Sequence, residues 1–300
     1  MKDIQLNLEI FILTYNRPEA LVKAVESVKR QSNRNFKLIV SDNSIDLDKI
    51  KNIFKNDLEV EVRQRGGMSP LEHIQLCFNE ASGDLVCLFH DDDEMMPNYV
   101  DKILEEFQNK PQLQAVATNA IVKNTVDGSK GISFKSSREN LYFNNKNDFL
   151  YSYFGKGNCG IAPFPSYTFR TINNKFKGYE ELGKYGDVAI CASQLSYGEV
   201  CWINLPLIKY YITGGNGGAV ESMKDRLKLL AYLKKNNGIS QFIVNQYRVL
   251  IYGLYLNSNK LTLKRKIYKL RQKLKIRRLF HFMTISNLVQ CVLHKKIKFL

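Results

Sequence analysis

Leu85-Val86-Cys87-Leu88-Phe89-His90-Asp91-Asp92-Asp93 is an apolar run ending in three consecutive carboxylates, with Pro97 and a helix-like segment behind it. Carboxylates at the end of a buried strand are costly unless a positive group sits beside them. A divalent cation holding a diphosphate meets that need, because hard oxygen ligands suit Mg²⁺ or Mn²⁺. A solvated acidic turn at a helix N-terminus is the other reading. What surrounds the run decides between them.

Upstream, strand-like and helix-like segments alternate. Leu8–Leu13 is apolar apart from Glu9 and reads as a buried parallel strand. Pro18 suits a helix start, and Leu21, Val22, Val25 and Val28 follow at helical spacing. Phe36–Val40 is a second strand leading into Ser41-Asp42-Asn43-Ser44; a helix to about Asn56 and a third strand over 58–62 follow. Ser69-Pro70-Leu71-Glu72 is a capping box with proline in the first helical position. That helix sets Leu71, Ile74, Phe78 and Ala81 on one face and stops near Gly83. Leu85–Phe89 is the fourth strand; Val100, Ile103, Leu104 and Phe107 mark a helix, and Ala115-Val116-Ala117 a strand. This order predicts an α/β fold with a doubly wound sheet and helices on both faces. Ligands bind such sheets beyond the carboxyl ends of the strands. Three polar clusters fall there: Thr14-Tyr15-Asn16-Arg17, Ser41-Asp42-Asn43, and His90 to Asp93. Their shared position favours a ligand over a capping turn.

Residues 125–184 give little pattern, though Gly155-Lys156-Gly157-Asn158-Cys159-Gly160 with Pro163 and Pro165 reads as a loop lining a site. A helix starts near Asp187, and Val200–Ile203 is a short strand. Beyond Gly214-Gly215-Asn216-Gly217-Gly218 the pattern is helical.

The chain of 300 residues, 44% apolar, is long enough for a large core. It has no run of about twenty apolar residues and no apolar leader after Met1. Its six cysteines are scattered without a CxxC pair, the usage of a reduced, cytoplasmic protein. Of the net charge of +15, residues 224–300 carry +18, with 19 Lys and Arg against one acid, Asp225; residues 1–223 carry −3. Leu263, Ile267, Leu270 and Leu274 recur on one helical face among Lys264, Arg265, Lys266, Lys269, Arg271 and Lys273. A basic amphipathic helix suits an anionic membrane surface; packing of its apolar face on the body is the alternative. No recognisable nucleic-acid module accompanies the charge, so nucleic acid is not an expected partner.

The strand running into Thr14-Tyr15-Asn16-Arg17-Pro18, the strand ending in Asp42, the helix ending Asn79-Glu80-Ala81-Ser82-Gly83, and His90-Asp91-Asp92-Asp93 with Pro97 resemble, in order and spacing, the GT-A glycosyltransferases. The likeness is to the inverting family 2, over roughly residues 7–215. It implies a GT-A, Rossmann-like, mostly parallel sheet over 1–218, with a nucleotide-binding half (1–110) and an acceptor half (111–218). A helical basic C-terminal region, 219–300, is appended. The resemblance places Thr14, Tyr15 and Arg17 in the nucleotide loop and has Asp42 accept from the pyrimidine ring. The residue-level alternatives are an Asx-turn for Asp42 and strand-edge packing for Tyr15. It aligns Asp91 with a ribose contact and Asp92, with Asp93 beside it, with the carboxylates that hold Mn²⁺ or Mg²⁺. His90 stands where the family has its first aspartate, as a neighbour of the metal ligands or a strand-end residue. Asp187 aligns with the base that deprotonates the acceptor hydroxyl; a helix N-cap is the competing reading, and Glu180 and Glu181 fit the pattern less well. The family's late His or Arg for the diphosphate is missing, and Gly214–Gly218 stand in its place as a phosphate nest or a lid.

The implied activity is transfer of one sugar from a nucleotide-sugar, expected to be a UDP-sugar, to a lipid-linked or oligosaccharide acceptor in surface polysaccharide synthesis. The enzyme would sit on the inner face of a bacterial plasma membrane. The Gln-x-x-Arg-Trp motif of processive members is absent, consistent with one sugar per event. A nucleotidyltransferase and a non-catalytic membrane scaffold are the rival readings.

Overall fold

Leu8–Thr14 (β1) pairs in parallel on both sides, with Phe36–Asp42 (β2) and Leu85–His90 (β4), which is why its run is apolar nearly throughout. The computed structural model describes residues 5–154, 160–172, 179–213, 222–236 and 238–257. Beyond β1 the order is α1 (Pro18–Lys29), β2, α2 (Leu47–Ile53), β3 (Val60–Gln64), α3 (Pro70–Glu80), β4, β5 (Glu94–Met95), α4 (Tyr99–Asn109) and β6 (Leu113–Asn124). There follow β7 (Lys130–Ile132), β8 (Asn140–Phe143), α5 (Lys146–Phe154), β9 (Thr168–Arg170), α6 (Gly186–Gln194), β10 (Glu199–Ile212), α7 (Ser222–Lys235) and α8 (Gln241–Asn257).

The sheet runs β3-β2-β1-β4-β9-β6-β10-β5, with β7 on β6 and β8 on β10. The first four strands are parallel, and β9 is inserted antiparallel to both β4 and β6. Thr14 is in register with Asp42, and Leu13 with His90, so β1, β2 and β4 end level. Alternate residues of each strand feed opposite cores. Leu8, Ile10 and Ile12 meet Leu21, Val25 and Val28 of α1 and Val100, Ile103 and Phe107 of α4. On the other face, Phe11, Val86 and Leu88 join α3, α5 and α6. α7 and α8 add Leu229, Leu230, Leu233, Val244, Tyr247 and Ile251 to that second core. Trp202 anchors it, with its ring 4.9 Å from Phe143, 5.5 Å from Phe134 and 5.5 Å from Phe149, and Nε1 donating to Tyr167 Oη at 2.7 Å.

The structure moves some expected boundaries. The third strand begins at Val60, because Leu58 is fully exposed. The strand read as Val200–Ile203 continues to Ile212, following β6 past irregularities between Ile203, Pro206 and Ile208. Proline lacks the N–H that a regular ladder needs there, which hid the continuation. The expected helices after the glycines are α7 and α8, while the basic stretch from Lys264 onward and Gly214–Gly218 lie outside the described residues. Among the described residues no helix is long and apolar enough to cross a membrane.

Candidate active site

The strand ends are stitched together by their own side chains. Thr14 is buried and its Oγ1 donates to Asp91 Oδ2 at 2.7 Å, while its carbonyl accepts from Asn43 N–H at 3.0 Å. Asn16 takes a left-handed φ of 54°, which its type tolerates; its N–H donates to Ser44 Oγ at 2.8 Å and its Oδ1 accepts from Ile45 N–H at 3.1 Å. The β1 and β2 loops thus form one wall. Tyr15 stands on it 49% exposed. Asp42 is fully buried. Its Oδ1 accepts from Ser44 N–H at 2.9 Å, the Asx-turn, and its Oδ2 has no hydrogen-bond partner among the described residues. The turn therefore uses one oxygen and leaves the other for a donor from outside. Behind Asp42, Ser41 Oγ lies 2.7 Å from His73 Nε2 and accepts from Arg65 Nε at 3.0 Å. Burial and the Arg65 charge press the imidazole down to about 4, so it is neutral at pH 7.

The three aspartates divide their work. Arg17 reaches two of them, with Nη2 2.5 Å from Asp91 Oδ1 and Nη1 2.6 Å from Asp92 Oδ2. Burial nevertheless lifts the Asp91 carboxyl to about 6. Asp93 is buried; its Oδ1 accepts from Tyr211 N–H at 2.9 Å, and its Oδ2, 3.7 Å from His90 Nδ1, lacks a hydrogen-bond partner among the described residues. Burial pushes Asp93 well above the usual carboxylate range and holds His90 below the usual imidazole range. Ligand atoms of His90, Asp92 and Asp93 all lie within 4.8 Å of one another. The orphaned buried oxygen of Asp93 fits a divalent cation, and one imidazole with two carboxylates suits Mn²⁺ better than Mg²⁺. The structure thus groups His90 with the two aspartates expected from the sequence.

Asp187 comes to the same place from 97 residues downstream. It and His90 line one cavity of about 120 Å³, whose other walls include Tyr153, Phe164, Tyr167 and Tyr210. Asp187 lies in the first turn of α6, two residues past the N-cap position, which Tyr185 occupies without a side-chain cap bond. Its Oδ1 accepts from Val188 N–H at 2.7 Å, and burial lifts the carboxyl to about 6. A carboxylate with that value is ionised at neutral pH yet basic enough to take a proton. Glu181 is exposed on the 3₁₀ turn Glu180–Tyr185 and does not line the cavity. Of the loop expected to line a site, Ile161 to Pro165 do so, while Gly155–Cys159 lie outside the described residues. The tyrosines at 153 and 210 gave no signal in the sequence.

The level strand ends, the antiparallel β9 and the aspartates at the carboxyl edge define a GT-A fold. Residues 9–171, more than half of the chain, match the family model of glycosyl transferase family 2, and the chain belongs to that family. It is 25% identical over 178 residues to the GalNAc(5)-diNAcBac-PP-undecaprenol beta-1,3-glucosyltransferase of Campylobacter jejuni, covering 58% of this chain and 57% of that one. With the uncharacterized glycosyltransferase YwdF of Bacillus subtilis it shares 30% identity over 115 residues, 34% of this chain and 39% of the relative. The matches span about half the length of the curated relatives, or less. Among solved structures, S. aureus TarS 1–349 in complex with UDP-GlcNAc superposes with a TM-score of 0.62 at 14% identity, covering 92% of this chain and 87% of that one. This last likeness is one of fold.

Proposed function

We propose that the protein is an inverting glycosyltransferase that moves one sugar from a UDP-sugar to a hydroxyl of a lipid-linked glycan. The observation that carries this reading is the cavity lined by both Asp187 and His90, the latter grouped with Asp92 and Asp93 at the strand ends. Thr14, Tyr15 and Arg17 hold the nucleotide, Asp42 Oδ2 takes a donor of the base, and Asp91 meets the ribose. Asp92, Asp93 and His90 would hold Mn²⁺ or Mg²⁺. When bound, the metal supplies positive charge beside the leaving diphosphate. Asp187 takes the proton of the acceptor hydroxyl as its oxygen bonds to the anomeric carbon. The carbon–oxygen bond to the diphosphate breaks on the opposite side, and the nucleoside diphosphate leaves with the electron pair.

The UDP donor is supported by TarS, whose structures are complexes with UDP-GlcNAc and with UDP, and the lipid-linked acceptor by the C. jejuni relative, a glucosyltransferase acting on an undecaprenol-linked glycan. We assign 1–218 to the transferase domain and 219–300 to a basic helical region that holds the enzyme on an anionic cytoplasmic membrane surface. Flotation with anionic liposomes, full chain against a chain ending at Asn259, tests the tail; equal flotation refutes its role.

The donor site is tested by thermal unfolding with UDP, GDP, CDP and dTDP, each with and without Mn²⁺. A nucleotide at 100 times its dissociation constant stabilises by about 2.7 kcal/mol. A metal-dependent shift with UDP is expected, and no shift with any nucleotide overturns the donor site.

A further inference from the structure

Away from the cavity, two aromatic rings stand together at the surface. Tyr151 of α5 is 40% exposed and Phe242, in the first turn of α8, 56% exposed; their centroids are 5.9 Å apart. The pair is held in place, since Asn147 Nδ2 donates to Gly238 carbonyl at 3.1 Å and Ser240 N–H donates to Asn147 Oδ1 at 2.8 Å, fixing the approach to α8 against α5. Lys234 and Lys235, both exposed, end α7 just before this approach. Asp148, a turn before Tyr151, is engaged by Asn145 Nδ2 at 2.7 Å. The described part of α8 ends at Asn257, and the chain beyond it carries thirteen Lys and Arg and no acid.

We infer that this Tyr151–Phe242 face is the surface with which the folded body lies on an anionic bilayer. The inference rests on the membrane role proposed for the basic C-terminal region and adds to it which side of the body meets the lipid. Exposed rings with exposed lysines seven and eight residues before Phe242 in the chain match the interfacial layer, where rings enter the headgroup boundary and cations meet lipid phosphates. The excess charge in the chain that follows α8 makes an anionic surface the complementary partner.

The test uses the full chain carrying Phe242→Trp. The native tryptophan, Trp202, is fully buried and supplies a background that lipid does not reach. Vesicles of phosphatidylserine and phosphatidylcholine with brominated acyl chains are expected to quench the added emission, and phosphatidylcholine alone is not. Lys234→Gln and Lys235→Gln are each expected to lower partitioning into the anionic vesicles about fivefold. Flotation without quenching overturns the face and leaves the tail in place. Failure to float overturns both. Emission already shifted to the blue without vesicles shows the rings covered by the chain's own C-terminal segment or a second copy, and also overturns it. Nucleotide binding is read separately and does not enter either result.

Discussion

Replacing Asp187 with asparagine separates what the carboxylate does for chemistry from what it costs the fold. Burial raises this carboxyl from 3.8 to about 6, so the folded protein prefers its neutral form. A group shifted upward contributes stability that is complete below its unfolded value and lost as pH rises through the folded one. At 1.36 kcal/mol per pH unit the difference amounts to about 3 kcal/mol above pH 7, and partial exposure brings it to about 2 kcal/mol. Asparagine keeps the oxygen that accepts from Val188 N–H and carries no charge to desolvate. Asp187→Asn is therefore expected to be more stable than the wild type by about 2 kcal/mol at pH 8, a rise in Tm of about 4 °C for a chain of this size. The gain shrinks to about half by pH 5, where the wild-type carboxyl is largely protonated in the fold. Turnover should fall by about 10²- to 10⁴-fold while the nucleotide-induced thermal shift survives. Thermal and urea unfolding of both proteins from pH 5 to 8 reads the stability, and a transfer assay reads the rate. No gain at pH 8, or a gain that grows as pH falls, refutes the claim that the ionised carboxylate is held against its desolvation cost. Undiminished turnover removes Asp187 as the base.

Two further substitutions probe the frame. Ser69→Ala removes the side chain that accepts from Glu72 N–H in the capping box and should cost about 1 kcal/mol, read as a lower urea midpoint at unchanged slope. Gly198→Ala places a Cβ against the Gln112 carbonyl, backbone that cannot turn aside, where β10 joins β6; a loss of about 1–3 kcal/mol is expected, and an unchanged Tm counts against that packing.

The parallel half was legible because its signals are local. A strand buried on both faces must be apolar along its length, so β1, β2 and β4 showed as runs, and the polar residues that end them marked the ligand edge. The Ser69 capping box needs only four neighbouring residues and formed as read. Thr14, Asp42 and the aspartates were placed at that edge this way, and the structure sets Thr14 in register with Asp42 and bonded to Asp91. Other features came only with the tertiary structure. Asp93 is tied to Tyr211 across 118 positions, His90 joins Asp92 and Asp93 as a possible ligand set, and Asp187 faces His90 because β9 and β10 return the second half of the chain to the edge of the first. The sequence alone determined which segments are buried and where each strand ends, since periodicity and capping act within a few residues. Only the folded sheet decided which strand ends meet, because that depends on strand order and on side chains brought together from distant positions, and such pairings leave no local pattern in the sequence.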